Sequence, residues 1–238
     1  MTRSSFTDRQ WARVAGLCYL LVIILGGYAE LFVRQALHVP GNPTESGQRI
    51  MDNAFVYKLG FLADLLNMLI GLPCVVIVYY LFRHVNRPLA RLALIFVVIQ
   101  TAVVSVSLLE QLKPLLILKG PISSSPLPFS VQATMAQGWI DAHELGYGIG
   151  LVFFGFYCIM VGYLLYHSGR LPKIFGVLYS ISGVAYLVNS FTMFLMPDFH
   201  NPAFAYMILP AFIGEFAFTM WLLIKGVKEI PPGISSII

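Results

Sequence analysis

Charge is what this sequence has least of. Asp, Glu, Lys and Arg make up 11% of its 238 residues, against 58% hydrophobic residues and a mean hydropathy of +0.79. An ordinary water-soluble domain carries about twice that charge, so this class is excluded. Cysteine is scarce too: Cys18, Cys74 and Cys158 stand alone in apolar stretches, with neither CxxC spacing nor an even count. They read as buried free thiols that pack as small hydrophobes. No Walker, Rossmann, kinase or GxSxG pattern occurs, which leaves nucleotide chemistry and triad catalysis without support. No basic run is interleaved with aromatics. The excess of 15 Lys and Arg over 11 Asp and Glu therefore points to basic cytoplasmic loops, and no nucleic-acid partner is implied.

What the chain does have is long apolar runs. A bilayer-crossing helix needs roughly 20 mostly apolar residues, and six stretches qualify: 14–29, 55–82, 89–112, 139–166, 172–196 and 203–224. The predicted fold class is all-α, a polytopic six-helix transmembrane bundle spanning residues 13–228 between short tails at 1–12 and 229–238. The first run is too long for the apolar core of a cleaved signal peptide and lacks a small-x-small cleavage site, so it reads as a retained span. Arg3, Arg9, Arg13, Arg83, Arg87, Arg91, Arg170, Lys173, Lys225 and Lys228 fall on one side of the spans. Arg34, Arg49, Lys58, Lys113 and Lys119 fall on the other. The positive-inside rule then makes both tails cytoplasmic in a plasma-membrane protein. The longer connections, 35–53, the Pro/Ser-rich 119–138 and 197–202, face outward, where lid and site residues tend to concentrate.

Polar residues inside the spans are costly in lipid and ask for a role. Gly60, Asp64, Asn67 and Gly71 form one stripe at helical spacing, as do Tyr179, Ser182, Tyr186 and Asn189. Asp141, His143 and Glu144 open the fourth span, with Tyr147 one turn beyond Glu144 and Gly146, Gly150, Gly155 and Gly162 suited to close helix contact. Glu30 with Arg34, and Glu110 with Lys113, read as local ion pairs, while Asp141 beside Trp139 reads as interfacial. Asp64 and Glu215 have no opposite charge within a turn of their own helices. The expected site is therefore an outward-facing polar cavity lined by Asp64, Asn67, His143, Glu144, Tyr147, Asn189 and Glu215, for a small polar or cationic ligand or for protons.

Two other readings stay open. His38, His143 and His200 all fall on the outer side and, with a carboxylate base, would suit a metal-dependent hydrolase, although no HxxxH or HExxH pair shares a helix. The polar groups would otherwise serve only to join helices. The sequence leaves the cofactor undetermined, and the partners it suggests are the lipid bilayer and a small molecule or ion.

Several segments carry a resemblance. They are Arg13-x-Ala-Gly16-x-x-Tyr19, Lys58-Leu-Gly-Phe-Leu-Ala-Asp64, Leu151-Val-Phe-Phe-Gly155, Gly162-Tyr-Leu-Leu-Tyr-His-Ser-Gly169, Leu171-Pro-x-Ile-x-Gly-Val-Leu178 and Gly214-Glu215 through Trp221-Leu-Leu-Ile-Lys-Gly-Val227. From Arg13 to Val227 the chain resembles the bacterial integral-membrane family called domain of unknown function 4386. The resemblance implies a bacterial inner-membrane protein and transfers no catalytic residue. Gly16 and Tyr19 also recur loosely as Gly176 and Tyr179, each after a basic residue entering a span.

Overall fold

The structure is a computed structural model that describes residues 6–120, 127–196 and 209–229. All regular structure among them is helical. Helix α1 (Asp8–Gly27) continues through a π-helical segment (Tyr28–Arg34) into α2 (Gln35–Leu37). There follow α3 (Pro43–Asp52), α4 (Ala54–Phe82), α5 (Arg87–Lys119), α6 (Phe129–His167), α7 (Ile174–Leu195) and α8 (Leu209–Ile224). Apolar runs of this length become helices because hydrocarbon offers no partner for a backbone N–H or C=O, and a helix pairs every one within its own segment. Pro73 and Pro114 lie inside α4 and α5 without ending them. Among the described residues, five continuous helical stretches are long and apolar enough to cross a membrane: Asp8–Leu37, Ala54–Phe82, Arg87–Lys119, Phe129–His167 and Ile174–Leu195. The expected sixth span is represented by α8, which is apolar but 16 residues long; residues 203–208 lie outside the described ones.

Two segments expected as loops hold helix. Residues 35–53 contain α3, which begins where the Asn42 side chain accepts from the Glu45 N–H at 3.1 Å and Pro43 takes the first helical position. Its inward face is Ser46, Gly47 and Ile50. One large apolar residue makes a weak periodic signal. Residues 129–138 are the first turns of α6, which runs 39 residues. Ala133 and Ala136 are buried there while Ser130, Thr134 and Gln137 lower the local hydropathy. Residues 121–126, the centre of the Pro/Ser-rich stretch, lie outside the described ones.

The chain divides into two compact units: a first from Met1–Leu21, Ile70–Thr101 and Ile149–Ile238, and a second from Val22–Leu69 and Ala102–Gly148. In the first, α6 and α7 meet along glycines. A methyl group on Gly176 would come within 2.6 Å of the Gly162 carbonyl oxygen, and one on Gly183 within 2.5 Å of that of Gly155. Such backbone approach is how helices gain contact in lipid, where apolar burial offers no drive. Ser182 of α7 donates to the Ala211 carbonyl of α8 at 3.0 Å. Gly71, which shares a helical stripe with Asp64 and Asn67, makes no close contact, with nothing within 4 Å of its would-be Cβ.

Where α1 starts and α8 stops, Arg170 is buried at 5% exposure. It donates to the carbonyls of Leu81 at 2.8 Å and Lys228 at 2.7 Å and pairs with Asp8 at 2.7 Å. Counted in the sequence as a loop cation, it joins four separate segments. His84 lies beside it. Burial, and then the Arg170 guanidinium, hold its imidazole below the usual histidine range. The unfolded chain therefore binds this proton more readily than the folded one. The stability His84 contributes is complete above its unfolded pKa of about 6.5 and falls as pH drops below it. Thermal unfolding against pH is expected to show that acid slope, shallower in His84→Gln.

Candidate functional site

In the second unit, three helical segments bring polar groups to one guanidinium. The π-helical segment carries Glu30 and Arg34, and its wide turn is closed by the Gln35 N–H donating to the Glu30 carbonyl five residues back. Such π turns are frequent at functional sites because they re-aim side chains. Arg34 Nε donates to Glu30 Oε2 at 2.7 Å, the local pair expected. Its Nη1 also reaches Asp64 Oδ2 of α4 at 2.5 Å. Asp64 accepts a further bond at 3.2 Å from Gln111 Nε2 of α5. The acid with no counter-charge on its own helix therefore finds one on another, 30 residues away in sequence. The Tyr147 ring of α6 lies 5.6 Å from the guanidinium carbon, a cation–π distance.

His143, two per cent exposed, completes the cluster. Its Nδ1 is 2.9 Å from the Ser107 carbonyl oxygen. A carbonyl only accepts, so Nδ1 carries a proton, and in the neutral ring Nε2 keeps its lone pair. That Nε2 is buried and has no partner among the described residues, and the same holds for Gln111 Oε1. Ser107 and Gln111 are one turn apart on α5, so both open acceptors are anchored within that turn. Two carboxylates and one guanidinium leave the group one negative charge in excess. A cluster with net negative charge, open to solvent at Glu30 and holding two buried unfilled acceptors, is suited to a hydrogen-bond donor, and best to a cationic one.

The other expected site residues divide. Asn67 donates to the Val22 carbonyl at 2.9 Å and ties α4 to α1. Glu144 is exposed and Asp141 accepts from Gln137 at 2.7 Å on the surface. Lys113 stands 3.3 Å over the Trp139 ring and makes no ion pair with Glu110. Among the described residues no three His, Cys, Asp or Glu side chains are grouped to hold a metal ion. His38 Nδ1 is buried without a partner among the described residues, and His200 lies outside them.

A family model described as a domain of unknown function, DUF4386, matches residues 14–226. The chain belongs to the DUF4386 family. It is also 35% identical over 81 residues to an uncharacterized protein of Archaeoglobus fulgidus, a stretch covering 34% of this chain and 46% of that relative. The chain thus matches less than half the length of that relative. No solved structure matches.

The remaining residues of this DUF4386 chain that the sequence marks as site candidates, Asn189 and Glu215, lie in the first unit. Asn189 is half-buried on α7. Glu215 of α8 is 7% exposed and set among tyrosines. The Tyr186 and Tyr19 side chains act on its carboxyl group as hydrogen-bonding neighbours. Its Oε1 has no partner among the described residues. Tyr19 and Tyr179, the loosely repeated pair, share a hydroxyl hydrogen bond of 2.7 Å, and Tyr179 extends the contact to Tyr157 and Cys158. Tyr19 stood out in the sequence only as half of a loose repeat and Tyr157 not at all, because a tyrosine within an apolar run looks like any other aromatic residue there.

Proposed function

We propose that this DUF4386 member is a six-span plasma-membrane protein with both tails cytoplasmic, and that its Arg34–Asp64–His143 cluster binds a proton or a small cationic solute. The observation that carries the reading is the pair of buried, unfilled acceptors, His143 Nε2 and Gln111 Oε1, beside an acid-rich ion pair. A purely helix-joining cluster would be expected to fill such acceptors internally. The basic-residue count puts this cluster toward the outer face. Asn67 and Asn189 then act as helix contacts. Glu144 flanks the entrance, and Glu215 with its tyrosine hydroxyls forms a second acid site.

The test uses the full chain in lipid nanodiscs. Methylammonium chloride is compared with sodium chloride at equal ionic strength by thermal unfolding, and the His143 ring is followed by nitrogen NMR between about pH 5 and 8. The expected result is either a rise in unfolding temperature specific to methylammonium or a protonation change at His143 Nε2. Gln111→Leu should weaken the first, and His143→Gln should abolish both. A ring that stays neutral throughout, with no specific methylammonium effect, leaves the cluster as helix glue.

A further inference from the structure

Away from that cluster, the first unit holds a cavity of about 490 Å³ where α1 begins, α6 passes into α7 and α8 ends. Its lining includes Arg9, Arg170, Trp221, Lys225, Lys228 and Glu229. The short segment after α8 shapes it. Gly226 adopts a left-handed conformation, φ +70°, with its N–H on the Trp221 carbonyl at 3.0 Å, which ends the helix and turns the chain. Residues beyond the turn are then pinned: Lys228 N–H donates to the Arg170 carbonyl at 3.0 Å, Arg9 N–H to Glu229 Oε1 at 3.0 Å, and Arg9 Nε to the Lys225 carbonyl at 3.2 Å. The backbone is held while the Lys225 and Lys228 side chains stay exposed.

Charge around the cavity is unbalanced. The Arg170 charge is answered by Asp8, but Arg9, Lys225 and Lys228 enter no ion pair among the described residues. Glu229 is the one acid in the lining. Trp221, whose ring gives the cavity an apolar wall, has a buried Nε1–H without an acceptor among the described residues. Three unpaired cations and an unused indole donor at the edge of an apolar bundle are the groups that a phosphate ester needs. Tryptophan and lysine are also the residues that settle at headgroup depth. We infer that this cavity is a binding site for a phosphate-bearing anion, with the headgroup of an anionic phospholipid as its occupant and free phosphate as the other source of the same chemistry.

Native mass spectrometry of the full chain in detergent, with phosphatidylglycerol or phosphatidylcholine added, reads the site directly. Phosphatidylglycerol should remain bound under conditions that strip phosphatidylcholine. Lys225→Gln with Lys228→Gln should cut its retention roughly 30-fold, the combined effect of two lysines near an anionic lipid surface. Lys58→Gln with Lys119→Gln, which removes the same charge from exposed positions in the other unit, should leave retention unchanged. If inorganic phosphate displaces phosphatidylglycerol and by itself raises the unfolding temperature, the site belongs to free phosphate. Equal retention of the two lipids overturns the inference, as does undiminished retention in the cavity double variant. Should that variant fail to fold, Glu229→Gln gives the answer: removing the lone acid must raise phosphatidylglycerol retention, and no rise overturns the site.

Discussion

Replacing Asp64 with alanine is expected to destabilise the folded protein by roughly 3–5 kcal/mol, the range for removing one partner of a buried ion pair. The Asp64 side chain is 3% exposed and that of Arg34 15%, so neither charge is answered by water. Loss of Asp64 leaves Arg34 with Glu30 alone, whose side chain is 47% exposed, and frees the Gln111 amide it had accepted from. The remaining Glu30 contact puts the effect toward the lower end. Removing both charges together, Arg34→Met with Asp64→Leu, should recover much of the loss, because no uncompensated charge then stays buried. Thermal unfolding of the purified chain in detergent checks both, as a double-mutant cycle. If the site is functional, the double variant folds and yet loses the methylammonium or proton response. An Asp64→Ala protein that unfolds at the wild-type temperature would mean that the pair does not hold in solution.

Gly176→Val is the second large effect, for a steric reason. The atoms that an added Cβ would meet are the Gly162 carbonyl oxygen and the Tyr166 backbone nitrogen, each at 2.6 Å. Backbone atoms cannot move aside by changing rotamer, so α6 and α7 must separate, and the Gly155–Gly183 approach along the same seam opens with them. The cost is expected to reach or exceed the roughly 3 kcal/mol at the upper end of ordinary overpacking. Gly71→Ala supplies the contrast. Its Cβ would enter open space within α4, and the lower backbone entropy of the unfolded chain should stabilise the protein by about 0.5–1 kcal/mol. Unfolding temperatures that move in opposite directions for the two substitutions check the argument. A tolerated Gly176→Val would show that the seam is not a close backbone contact.

The candidate site was legible in its acids and not in their partners. Asp64 and Glu215 stand out in the sequence because an intramembrane carboxylate is costly wherever it points. Their surroundings depend on which helix faces meet. Arg34 was read with Glu30 because a spacing of four residues shows in the sequence, whereas the 30 residues to Asp64 do not. Gln111 was passed over as one more polar residue near a helix end, and Arg170 as a loop cation, although its carboxylate partner is 162 residues away. Helix α3 and the first turns of α6 were missed for the opposite reason. Their few buried positions are small, and hydropathy weighs the polar residues between them.

By itself the sequence determined the helical, membrane-suited character of the chain and most of its long helices. In an apolar medium each run of about 20 residues must satisfy its own backbone, and that is a local decision. The tertiary structure alone decided that Arg34 answers Asp64, that Tyr19 meets Tyr179, and that His143 Nε2 and Gln111 Oε1 are left open. Those outcomes turn on the rotation and depth at which helices pack. Small residues such as Gly146, whose Cβ would meet the Ser107 side chain at 2.7 Å, permit that packing without announcing which partner it will bring.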